Sequence, residues 1–243
     1  GDFHLRSGAD AKDAGYDLSA DTNLSFTDDI DDEPRYDFFW DMGADEAPSI
    51  MPLYRSVGNE SSDLNTVGAT VTIVGTTTTF SLPLPGDIGV GDAVQYGSPL
   101  QIAFISGRTS SSTYDLRSWN GLEPTATSSA TASIYRAHNS LYNWSQHSVS
   151  GVNASINSGL RDYVWQYGQD LSASSTVLYV ACYTGTATDT DDSVNITGWT
   201  TSTSSNITIF TPYASTQVGT SQRHTGKYTT SAYRLSPDVA IAL

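Results

Sequence analysis

Cysteine is nearly absent. The one thiol, Cys182, rules out an internal disulfide, so the fold has to be held by its core. It closes the apolar run Val177-Leu178-Tyr179-Val180-Ala181-Cys182, where a thiol serves as a small buried hydrophobe rather than a nucleophile. Positive charge is scarce too. Eleven Lys and Arg against 26 Asp and Glu leave a formal net charge of −15. Such a surface repels phosphate backbones and anionic bilayers, which argues against nucleic acid and membrane partners. No apolar run is long enough to span a membrane. The chain also lacks G-x-S-x-G, C-x-x-C and G-x-x-x-x-G-K, and His4, His138, His147 and His224 have no metal-ligand spacing. No residue set makes a catalytic constellation, and the chain is read as non-enzymatic.

What is abundant is Ser, Thr, Gly and Tyr. These residues are poor helix formers or good strand formers, and they predict an all-β fold of short strands joined by polar turns. The 243 residues fall into three zones. Residues 1–47 hold much of the acid, and Pro48 and Pro52 then punctuate the chain.

Residues 48–138 alternate polar with apolar side chains. Strands are expected at Ala69 to Val74, Thr77 to Leu82, Ala93 to Tyr96, Gln101 to Ile105, Ser112 to Leu116 and Ala132 to Arg136. Gly89-Val90-Gly91-Asp92 reads as a tight turn. This zone is expected to be a small antiparallel sandwich or barrel.

Residues 139–243 open with two short helical stretches, Asn139 to Trp144 and Gly159 to Trp165. Strands follow at Val177 to Cys182, Val194 to Trp199, Ile207 to Phe210 and Val239 to Leu243. Those starting at Val177, Ile207 and Val239 recur at roughly thirty residues, a period found in stacked solenoids.

Four segments of the first zone carry a resemblance: Asp2-Phe3-His4-Leu5, Ser7 to Gly15, Thr27 to Arg35, and Trp40 to Glu46. Their order and spacing resemble the C-terminal end of right-handed parallel β-helix proteins, with its F-x-L, G-S-P-A-I-D-A-G, D-x-D-G-x-x-R and D-I-G-A-x-E stretches. Ala9 and Lys12 stand where proline and isoleucine are usual, and Asp32 where glycine is common. The resemblance implies that residues 1–47 form a last rung and its capping loops. More loosely, residues 139–243 resemble a helical cap followed by the first coils of a β-helix. The expected fold is thus partial right-handed parallel β-helix segments flanking the small antiparallel domain.

Each β-helix end exposes unpaired backbone and an apolar face. Phe3, His4 and Leu5 at one end, and Val239, Ala240, Ile241 and Leu243 at the other, are therefore candidate assembly contacts, giving a head-to-tail homopolymer of an extracellular filament or surface layer. Asp28, Asp29, Asp31 and Asp32 offer oxygens for a structural calcium ion, or form a solvated capping loop. Trp119, Trp144, Trp165 and Trp199 either stack on sugars, as in a glycan-binding adhesin module, or pack in the interior. A third reading is a fragment of a β-helix polysaccharide lyase or hydrolase.

Overall fold

The computed structural model describes residues 50–185, 194–227, 229 and 232–235, together with positions 15, 18, 22, 23 and 42. The chain divides into two compact units, Gly1–Ile50 and Met51–Leu243. The account below concerns the second.

Six strands close into an antiparallel barrel: β2 (Thr70–Val74), β3 (Thr77–Phe80), β4 (Ala93–Tyr96), β5 (Gln101–Arg108), β6 (Thr113–Ser118) and β7 (Thr127–Tyr135). Around the barrel the order is β2-β3-β6-β5-β4-β7. Alternation decides which side chains fill it. Val71 and Ile73, Phe80, Val94 and Tyr96, Ala103 and Ile105, Tyr114 and Leu116, and Ile134 all point inward into one core. Closure leaves the barrel no free edge. β5 runs on past the expected end at Ile105 and takes in Gly107, at a register shift between Ile105 and Gly107.

The outer face of β4 and β5 is apolar as well, and its Ala93, Ile102 and Phe104 need a cover. The segment after the barrel supplies it. Helix α1 (Leu141–Ser145) starts at Ser140, whose hydroxyl accepts from Asn143 N at 3.0 Å, a side-chain N-cap. Two 3-10 turns and helix α2 (Asp162–Trp165) follow. Val152, Ile156, Leu160 and Val164 from this segment pack onto the three barrel residues.

The third component is a parallel sheet of β1 (Met51–Val57), β8 (Thr176–Cys182) and β9 (Ile207–Phe210), in the order β1-β8-β9. β1 matches β8 residue for residue from Met51↔Thr176 to Val57↔Cys182. β8 then pairs with β9 from Leu178↔Ile207, an offset of twenty-nine residues. The spacing read between Val177 and Ile207 is thus a parallel register. Its core joins Leu53, Val57, Leu178, Val180 and the buried Cys182 to Trp144, Tyr167 and Leu171. The barrel and both helices are inserted between β1 and its partner.

Two expectations change. Met51–Val57 belongs to the parallel sheet, although it falls in the zone read as antiparallel. Val194 to Trp199 is not a strand: Gly198 turns there with φ +80°, and only Thr200 bridges to Asp170.

Gly91 shows how closely the barrel meets β1. It sits at φ +92°, and a Cβ there would lie 2.5 Å from the carbonyl carbon and oxygen of Arg55. Gly68 has φ +65° and open space around it. Gly91→Ala is therefore expected to cost at least about 2 kcal/mol more than Gly68→Ala, which bears only the left-handed penalty of roughly 1 kcal/mol. Urea unfolding of the two variants checks this.

Candidate functional site

Two buried arginines join the barrel to the parallel sheet. Arg55 of β1 is 0% exposed and faces no carboxylate among the described residues. Its Nε donates to Val164 O (2.7 Å), Nη1 to Tyr54 O (2.7 Å), and Nη2 to Trp119 O and Tyr163 O (3.1 Å each). The guanidinium lies 3.7 Å over the Phe104 ring and 4.9 Å over that of Tyr167. Burial pulls its pKa down to about 10, leaving it charged at neutral pH. Arg136, at the barrel's exit, instead meets a carboxylate: Nη1 sits 2.6 and 2.5 Å from the two oxygens of Asp92. Burial pushes the Asp92 carboxyl up, against the pull of Arg136. The Arg136 guanidinium also covers Tyr183 at 3.7 Å, just beyond β8, and the Tyr183 hydroxyl donates to Val90 O at 2.7 Å. Both arginines are positioning residues.

The four tryptophans divide. Trp144 is fully buried, and its Nε1 donates to the Tyr167 hydroxyl at 2.9 Å. Trp165, Tyr167 and Trp199 surround His147, with ring centroids 5.6, 5.2 and 5.3 Å away. The imidazole fills that cage and is tied to Tyr167 O at 3.0 Å, so these rings pack on one another. Trp119 stands apart. It is 36% exposed and tilted against Tyr163 at 5.4 Å.

An opening that a ligand could enter lies elsewhere. A groove of about 340 Å³ runs between the parallel sheet and the barrel wall. Tyr54, Tyr179 and Phe210 line the sheet side, Ser106 and Gly107 the barrel side, and Val90, Thr216 and Gln217 the rest. Tyr54 and Tyr179 are in register and stack with centroids 5.1 Å apart, and Phe210 meets Tyr179 edge-on at 6.5 Å. Burial, then the neighbouring Tyr179, raise the Tyr54 pKa. None of the lining residues has a carboxylate, imidazole, thiol or cationic side chain.

Sequence reasoning missed this groove. Tyr54, Tyr179 and Phe210 are remote in the chain, and only the parallel register assembles them. The one available signal was the roughly thirty-residue offset from Tyr179 to Phe210. Phe3, His4, Leu5, Val239, Ala240, Ile241 and Leu243, proposed for assembly, lie outside the described residues, as do Asp28, Asp29, Asp31 and Asp32, proposed for calcium. Among the described residues no group of three or more His, Cys, Asp or Glu could hold a metal ion, and no helix is long and apolar enough to cross a membrane. No protein-family model, curated protein or solved structure matches the chain.

His138 links barrel to sheet and titrates unusually. Its Nδ1 bonds Gly151 O at 3.0 Å, and its Nε2 is buried without a hydrogen-bond partner. Burial, assisted by Arg55 and His147, drives its pKa from 6.5 to about 3. The unfolded chain therefore binds a proton through that window that the folded protein refuses. Stability is complete above pH 6.5 and falls as pH drops toward 3, by about 1.4 kcal/mol per pH unit. His138→Asn keeps a donor and cannot titrate. Its unfolding free energy, measured at pH 7 and pH 4, should fall by about 3 kcal/mol less than that of the native chain.

Proposed function

We propose that this chain is a structural module of an extracellular assembly whose parallel coils stack strand upon strand. The observation that carries the reading is the sheet β1-β8-β9, with full register between its first two strands and a twenty-nine-residue offset to the third. A coil of that kind buries its interior only by stacking on another. The resemblance of residues 2–46 to the closing end of a right-handed parallel β-helix supports the same reading. So does the acidic surface, which favours solubility outside the cell.

The growth point is β9, which has one partner among the described residues. Leu178 N donates to Asn206 O at 2.9 Å. By alternation, Ile207 and Ile209 turn their backbone groups to the open side, where Ile209 is 37% exposed. A further coil adds there, and where the last coil of one copy meets the first rung of the next the contact is heterologous and so propagates. In this reading the C-terminal Val239, Ala240, Ile241 and Leu243 of one copy stack on Phe3, His4 and Leu5 of the next.

Sedimentation velocity and electron microscopy across a concentration series test the proposal. The native chain is expected to form polymers that grow with concentration. Ile209→Pro removes an outward amide while sparing the β8 pairing, and Ile241→Asp places a charge in the apolar strand. Each is expected to shorten the polymers and leave the barrel folded. A chain that stays monomeric at high concentration, with both termini protected from hydrogen exchange, closes on itself instead, and the assembly reading fails.

A further inference from the structure

We infer that the groove between the parallel sheet and the barrel is a binding site for an uncharged, hydroxyl-rich ligand, a neutral oligosaccharide. Its volume of about 340 Å³ lies at the lower end of ordinary ligand pockets, enough for a short stretch of sugar rings. The lining is neutral throughout, and the chain carries a net charge of −15. An anion finds no cation among the lining residues, Arg117 acting on Tyr54 only from outside them, and meets a repulsive field beyond. The Asp115 carboxylate, 3.2 Å from where a Cβ on Gly107 would sit, is not among the lining residues, so a cation finds no carboxylate in the lining itself.

An extended peptide is disfavoured for a different reason. Peptides commonly join such walls by adding a strand to a free edge. Here β5 is already paired with β4 and β6, and β8 with β1 and β9. Among the described residues, the open ladder that the walls do carry is the outer edge of β9, the strand of Phe210, and a strand added there would lie beyond β9, away from Tyr54 on β1 and Tyr179 on β8.

What the groove itself offers is a set of side-chain hydrogen-bonding groups. The Tyr54 and Tyr179 hydroxyls make no hydrogen bond to protein among the described residues, and each can donate and accept. The Gln217 carboxamide is already oriented: its Oε1 accepts from Tyr213 N (3.1 Å) and Ala214 N (3.3 Å), which leaves its NH2 as donor. Ser106 donates to Asp115 O at 3.1 Å and keeps its lone pairs to accept. These groups share the lining with the rings of Tyr54, Tyr179 and Phe210, a mixture that suits a sugar's polar rim and apolar faces. Orientation before binding lowers the entropy cost of recognition.

Gly107 keeps the groove open. Its backbone is outside the left-handed region, and the nearest obstacle to an added Cβ is Asp115 Oδ2 at 3.2 Å. A side chain there can be accommodated locally, but a large one would occupy the groove.

The test is calorimetric titration of the full chain with cellohexaose, maltohexaose and chitohexaose, with a galacturonic acid hexamer as charged counterpart. At least one neutral hexamer is expected to bind, and the charged one is not. Gly107→Leu fills the groove and should abolish binding. Gln217→Glu retains the acceptor to both amides but replaces the donor, and should weaken binding roughly tenfold or more. Tyr179→Phe removes one hydroxyl and little else. It serves if either of the others unfolds, and should weaken binding by a few-fold. No binding of any neutral hexamer, binding of the charged hexamer alone, or affinity unchanged in the folded variants overturns the inference. The outcome is independent of polymer formation, which the Ile209→Pro variant reports separately.

Discussion

The architecture turns on a charge that has no counter-charge. Arg55 is sealed among backbone carbonyls and two aromatic faces, and its four bonds reach β1, the turn after β6, and the end of α2. A buried guanidinium without a carboxylate is tolerable only when nearly every donor is used and the rings supply the rest. That requirement fixes three otherwise separate pieces in one geometry. A carboxylate partner would have joined Arg55 to a single element. Carbonyls from distant segments make it a junction.

Arg136 shows the alternative solution at the same seam with β1, next to Ala137, whose amide donates to Ser56. Paired with Asp92 and laid over Tyr183, it ties the end of β7 to the start of β4 and to the residue after β8. Where the two meet, the sheet and barrel walls leave the groove, with Tyr54, Tyr179 and Phe210 on one wall and Ser106 and Gly107 on the other. The candidate site is a product of how two sheets are bolted together, and its polar groups come from both.

Much of the barrel was legible because its strands are local and half-buried. Val71 and Ile73 alternate with threonines, and Ser140 announces α1 as any N-cap does. β1 was not legible. Met-Pro-Leu-Tyr-Arg-Ser-Val contains a proline and an arginine, and both argue against an interior strand until the partners of Arg55 are known. Those partners are carbonyls, which leave no trace in side-chain patterning, and three of them lie 64 to 109 residues away. The groove was hidden for the same reason: Tyr54 meets Tyr179 only through a register set by everything between them. For three of the tryptophans the packing reading is the one that holds. Trp144, Trp165 and Trp199 have the composition of a sugar platform, yet His147 fills the space that a sugar would need.

The insertion of the barrel between two neighbouring parallel strands also orders events during synthesis. β1 leaves the ribosome long before β8. The barrel strands that follow pair antiparallel, and nearest neighbours such as β2 with β3 and β4 with β5 are close in sequence, so the barrel can close early. Gly91 then lays the barrel's turn directly on the backbone of Arg55. A barrel closed that early would mount β1 on a finished support before its partner exists. When β8 arrives it docks onto a strand already held straight, and the entropy of closing that long loop has largely been settled by the folded barrel inside it. The barrel acts as an anvil on which the first rung of the parallel sheet is laid.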